Sequence, residues 1–114
     1  MIRNILLCLS ILFSSKTIAN NQYYYPGEEA EICETPDHVS YRSDIDGKPY
    51  FIRYGDEYPN SYLTIVIWSN DLPDLEINPV SYFTSNNVCI VGEVTMFRSM
   101  PQIILRNPNQ IRNL

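Results

Sequence analysis

One histidine, His38, and three cysteines are all the chain of 114 residues offers as soft or imidazole ligands. Cys33, Cys89 and His38 fall short of the four ligands a structural zinc takes, so no metal is expected. The chain has no Gly-x-Ser-x-Gly elbow, no His-Glu-x-x-His pair and no glycine-rich phosphate loop, and His38 has no nucleophile at a serviceable spacing. Catalysis and a bound cofactor are therefore not expected. Adjacent carboxylates such as Asp56 and Glu57 fit a solvated turn, and the acidic residues do not follow the alternate-position spacing of an EF-hand. The longest wholly apolar or small stretch near the start covers only residues 5–13, whereas a membrane-crossing helix needs about 20. Basic residues are also scarce: 8 against 13 acidic ones, for a formal net charge of −5. A general phosphate-backbone binder, which presents clustered Lys and Arg, is disfavoured by that balance.

What is present suits one small globular domain, with 45% hydrophobic and 18% charged residues. Residues 1–19 read as a signal peptide: Arg3 precedes the apolar run, and Thr17-Ile18-Ala19 places small residues at the first and third positions before a cut ahead of Asn20. Cys8 lies inside that run and would leave with it. Removing 19 of the 114 residues leaves 95, with six basic and thirteen acidic side chains and a charge of −7. Export to the periplasm or outside the cell is the expected fate. Two cysteines remain, and an even pair in an exported chain reads most simply as one disulfide, two buried thiols being the alternative.

Residues 20–27, with Tyr23-Tyr24-Tyr25 before Pro26-Gly27, form an expected arm on a domain of residues 28–114. Period-two patterning then dominates. Strands are expected at 30–34, resuming at 38–42 after Pro36, then at 49–54, 63–68, 88–97 and 102–106. A hairpin turn covers 44–48. In the second strand Tyr50, Ile52 and Tyr54 share one face, Phe51 and Arg53 the other. The stretch 69–87 holds Pro73 and Pro79, leaving at most a turn or two of helix around 74–77. Gly92 marks an expected bulge or bend in the long fourth strand. Five strands with little helix in so short a chain favour an all-β barrel over a sandwich.

The run from Val88 through Gly92, Phe97-Arg98-Ser99-Met100-Pro101-Gln102-Ile103 to Pro108-Asn109-Gln110-Ile111 resembles the closing hairpin of small bacterial OB-fold domains of the nucleic-acid-binding type. Their pattern is Cys-x-x-Gly-x-x-x-x-Tyr-Arg-Gly-x-Pro-Gln-Ile followed by Pro-x-Gln-Ile. Phe97 stands here in place of the Tyr and Ser99 in place of the turn Gly. The run from Tyr50-Phe51-Ile52 to Ile67 is similar to their second and third strands. The resemblance implies a five-stranded Greek-key barrel whose first and fourth strands are neighbours. Cys33 and Cys89 fall on those two strands, so a bridge would staple the seam.

Such barrels present strands two and three and the adjoining loops to their ligands. On that surface the resemblance and the alternation together nominate Tyr41, Arg42, Phe51, Arg53, Trp68 and Arg98. Aromatic platforms beside Arg suit single-stranded nucleic acid. The acidic balance, with Asp44, Asp46, Asp56 and Glu57 on nearby loops, opposes a polyanion. The expected function is a non-catalytic exported module that contacts a protein or envelope component, with single-stranded nucleic acid or an oligonucleotide as the alternative ligand.

Overall fold

A computed structural model of the chain describes residues 23–56 and 58–114. The expected signal peptide and the first three residues of the arm lie outside the described residues. Strands β1 (Glu29–Ile32), β2 (His38–Tyr41), β3 (Tyr50–Gly55) and β4 (Ser61–Ile67) lead into α1 (Leu72–Leu75) and α2 (Pro79–Ser85). Strands β5 (Val88–Phe97), β6 (Met100–Ile104) and β7 (Ile111–Asn113) complete the chain. Single 3-10 turns at Ser69–Asp71 and Pro108–Gln110 join neighbouring elements.

The architecture is all-β with little helix. Its strand order is β1-β5-β6-β4-β3-β2, and β7 adds to β5. Pairings are antiparallel except β4 with β6, which is parallel. Among the described residues the ladder ends at β1 and β2 and is not closed between them. Among the described residues seven strands stand where five are expected. Residues 33–37, with Pro36, split the first strand in two, and the short β7 has no period-two signal of its own.

Alternation explains the core. Ile52 and Tyr54 of β3 and Leu63, Ile65 and Ile67 of β4 turn inward and are fully buried, beside Ile90, Val94 and Ile103. Burying each such aliphatic side chain contributes about 1.5–3 kcal/mol. Two short helices cap this core where a mostly irregular connection is expected. Pro79 does not break a helix there; it occupies the first turn of α2, while the Asn78 side chain accepts from the Ser81 N–H. Phe83 of α2 and Leu75 of α1 are buried beneath.

Strand β5 serves two ladders. Its first half pairs β1 and β7, and Val94 to Phe97 pair β6. Of the expected bulge or bend at Gly92, the bulge is not there, because the β1 register runs through it without a slip, while the handover from β1 to β6 follows directly after it. Gly92 is needed for close approach instead: a Cβ would sit 2.5 Å from Ile103 Cγ2 and 3.0 Å from Gln110 Nε2. The register slip lies between Tyr54 and Gly55, with Tyr62 as the extra residue of β4.

The arm packs onto the domain. Gly27 N–H donates to Val94 O and Val94 N–H to Glu28 O, both at 2.8 Å. The Tyr24 ring stacks on Tyr62 at 6.5 Å, and the Tyr62 hydroxyl donates to Glu34. Tyr23 and Tyr25 are exposed. Cys33 and Cys89 follow the Ile32–Ile90 register pair and are bonded, with an S–S distance of 2.08 Å.

Two stability outcomes follow. A bridge separated by 56 residues in sequence removes about 4 kcal/mol of unfolded-chain entropy, so the double variant C33S/C89S unfolds at correspondingly lower urea concentration. An unchanged midpoint overturns that expectation. Tyr54 is fully buried with no hydrogen-bond partner for its hydroxyl among the described residues, and burial pushes its pKa up, with the Glu34 charge adding. Tyr54→Phe removes an unpaired polar group without changing shape, and a gain of about 1 kcal/mol is expected in the same urea titration.

Candidate ligand groove

The outer face of β3 carries the residues that alternation sends away from the core, Phe51 and Arg53. Register sets Arg53 opposite Thr64 on β4, and Thr64 opposite Gln102 on β6. A polar row thus crosses three strands, and loops wall it on both sides. Arg42 and Ile45 come from the segment between β2 and β3, Tyr58 from that between β3 and β4. Phe97, Arg98, Met100 and Pro101 come from the β5–β6 hairpin. Together these residues enclose a groove of about 380 Å³. Among the described residues, no carboxylate lines it.

Arg53 is its central group. The guanidinium lies 4.7 Å from the Phe51 ring centre and 5.4 Å from that of Tyr58, within cation–π range of both. One Nη donates a long bond of 3.5 Å to Ser40 Oγ, and the buried Nε has no partner among the described residues. Burial lowers the Arg53 pKa, and the positive charge of Arg42 lowers it further. A partly desolvated cation with no ion-pair partner among the described residues is a costly arrangement that a nearby anion relieves.

The other two arginines differ. Arg42 is bound by both Nε and Nη2 to Asp44, at 2.8 and 2.6 Å. Those bonds hold the Asp44 carboxyl down to about 2. The pair is exposed to solvent, so it contributes little stability and opens readily. Arg98 stacks over its neighbour Phe97 at 5.2 Å. It has no ion-pair partner among the described residues.

Of the sequence-nominated residues, Arg42, Phe51, Arg53 and Arg98 meet in the groove. Tyr41 and Trp68 are not among its lining residues. The Tyr41 ring lies 4.6 Å from that of Tyr50, and Trp68 covers the Gly47 turn so closely that a Cβ on Gly47 would come within 2.8 Å of its ring. Tyr58, Thr64, Phe97 and Gln102 were not nominated. Their membership depends on strand register and loop path, for which the amino-acid pattern has no direct signal.

Elsewhere, Glu31, Cys33 and Cys89 form the one cluster of metal-capable side chains among the described residues. Both its sulfurs are taken by the disulfide. No helix among the described residues is long and apolar enough to cross a membrane.

Comparison with family models, curated proteins and solved structures finds no match for the chain.

The hairpin at the groove rim carries backbone strain. Phe97 pairs Met100, so Arg98 and Ser99 are the two turn residues, with φ of 51° and 67°. That left-handed conformation at both positions suits glycine or asparagine and costs other residues about 1–2 kcal/mol each. Ser99→Gly is therefore expected to raise stability by about 1 kcal/mol in a urea titration; an unchanged or lower value contradicts the strain.

Proposed function

We propose that the chain is an exported, non-catalytic binding module of the OB-fold type whose groove takes single-stranded nucleic acid or a short oligonucleotide. The strand connectivity supports the fold assignment: β1 and β2 act as halves of one first strand broken at Pro36. Strands β3 and β4 then follow as an antiparallel pair, and β6 returns parallel to β4. The linked Cys33 and Cys89 join the first of those halves to β5, as a stapled seam requires. A disulfide also favours an oxidising compartment, which supports export.

The convergence of Arg42, Arg53 and Arg98 with Phe51, Tyr58 and Phe97 carries the reading. Flat rings give bases a surface to stack on, worth about 1–3 kcal/mol per base, and guanidinium groups meet the backbone between them. The acidic balance of the whole chain made a protein or envelope partner the first expectation. Three of the six basic side chains beyond residue 19 gather at one groove without a described carboxylate, which favours the anionic ligand instead.

Fluorescence anisotropy with labelled single-stranded DNA and RNA across a salt series tests the proposal. Micromolar binding is expected at low salt. Three arginines neutralising phosphates give a slope of log affinity against log salt of about −2. Arg53→Ala and Phe51→Ala each weaken binding about tenfold or more. No binding of either strand at low salt rejects this function and returns the protein or envelope partner to first place.

A further inference from the structure

The two sulfurs of the Cys33–Cys89 bridge sit in different surroundings. Cys33 is the first residue beyond β1 and is exposed, whereas Cys89 lies inside β5 and is fully buried. A thiolate that opens a disulfide approaches the attacked sulfur from the side away from the leaving one, so access to each sulfur helps set the rate of exchange. An external thiol meets Cys33 at the surface; to attack Cys89 it would have to enter the packed interior. The group beside the leaving sulfur matters as well. Register places Arg112 of β7 opposite Cys89, and its Nη2 donates a hydrogen bond of 3.6 Å to Cys89 Sγ. Burial by itself disfavours a thiolate at Cys89, and a guanidinium in contact with the sulfur offsets that cost. In the bridged state the same guanidinium is paired with Glu31, through Nε at 3.0 Å and through Nη2. A Glu31 carboxylate oxygen and the two sulfurs lie within 4.8 Å of one another, so its negative charge opposes a thiolate at either sulfur. Arg112 is thus shared between a carboxylate that restrains exchange and a sulfur that is placed to leave.

We infer that Cys33 is a thiol-modification site, at which an external thiolate enters the bridge and remains as a mixed disulfide. The incoming sulfur bonds to Cys33 Sγ, the Cys33–Cys89 bond breaks, and its electron pair stays on Cys89 as a thiolate beside Arg112. The incoming sulfur is oxidised to the disulfide level as Cys89 is reduced, its proton having already passed to solvent, and no further reactant is needed. Arg112 and Glu31 act as positioning residues of opposite effect. The attacking group is the same whether a small thiol or a dithiol protein brings it. This site is independent of the ligand assigned to the groove, because none of its residues lines that groove.

Exchange is followed on the folded, oxidised full chain in a C8S background, so that Cys33 and Cys89 are its only cysteines. Glutathione is added, free thiols are trapped with N-ethylmaleimide at the earliest times, and mass spectrometry reads which cysteine carries which group. Glutathione on Cys33 with maleimide on Cys89 is expected to exceed the reverse arrangement about tenfold or more. An even split, a preference for Cys89, or no adduct until denaturant is added overturns the site. Rate constants for variants, each checked as folded by circular dichroism, then separate the two charges. Glu31→Gln is expected to speed exchange and Arg112→Gln to slow it, each about threefold, while Arg112→Lys keeps the charge and most of the wild-type rate. An ion pair that merely holds the seam shut gives faster exchange in both Gln variants, and that result overturns the proposal. Replacing glutathione by a reduced dithiol oxidoreductase distinguishes a protein thiol from a small one by the larger rate constant, with entry at Cys33 expected from either.

Discussion

Everything positioned on the outer face depends on one ten-residue strand serving two ladders. Strand β5 holds β1 and β7 with its first half and β6 with its second, so it must turn from one to the other without losing its backbone bonds. Gly92 lies at that handover, because both Ile103 and the Gln110 amide press to within contact of where a side chain would begin. Gln110 then ties the handover together. Its Nε2 donates to Val91 O and Ile104 O, both at 3.0 Å, and its Oε1 accepts from the N–H groups of Arg106 and Asn107. One amide thus satisfies four backbone groups on β5, on β6 and in the turn leading to β7, a fully used network that fixes rather than merely fills. The β5–β6 hairpin, with Phe97 and Arg98 at its tip, is aimed by this junction.

The same junction accounts for how an acidic chain presents a basic groove. A net charge of −5 describes a sum, whereas a ligand in contact with Arg53 senses neighbours within a Debye length of about 8 Å at physiological salt. The described residues that line the groove include three guanidinium groups and no carboxylate, and Asp44 beside it is paired with Arg42. Long-range attraction for a polyanion is weak under these conditions, while short-range complementarity is intact. Such a field favours short ligands that are held by stacking over long duplexes gathered by charge.

Much of this was legible from residue pattern. The bounds of β5, the inward set Ile52 and Tyr54, the outward set Phe51 and Arg53, and the pairing of Cys33 with Cys89 all follow from period-two alternation and an even cysteine count. The pattern misled where a residue has two uses. Pro79 reads as a breaker and acts as a helix start, because Asn78 supplies the cap. Gly92 reads as a bulge or bend; it lies where β5 passes between its two ladders, and acts there as a point of close approach rather than a bulge. β7 was silent because three residues cannot display a period. The groove was half legible for a related reason: alternation reveals which face a side chain takes, but the row Arg53–Thr64–Gln102 exists only once β4 and β6 are set in parallel register.

Local rules are broken at few places in the described residues, and two of those places are the same groove. A half-buried arginine has a buried Nε with no hydrogen-bond partner among the described residues, and a two-residue turn puts Arg98 and Ser99 at positive φ. Each raises the energy of the unliganded chain by an amount a different residue would avoid: glycine in the turn, or an uncharged side chain at position 53. Strain in a packed fold persists when its surroundings over-determine it, and it gathers where a molecule does its work. Here the two costs point the same way, since the turn holds Arg98 on the rim and the sheet holds Arg53 on the floor. Under the proposed function, an anion seated between them would offset the desolvation of one and make use of the enforced position of the other, so that binding would draw on a cost already met in folding.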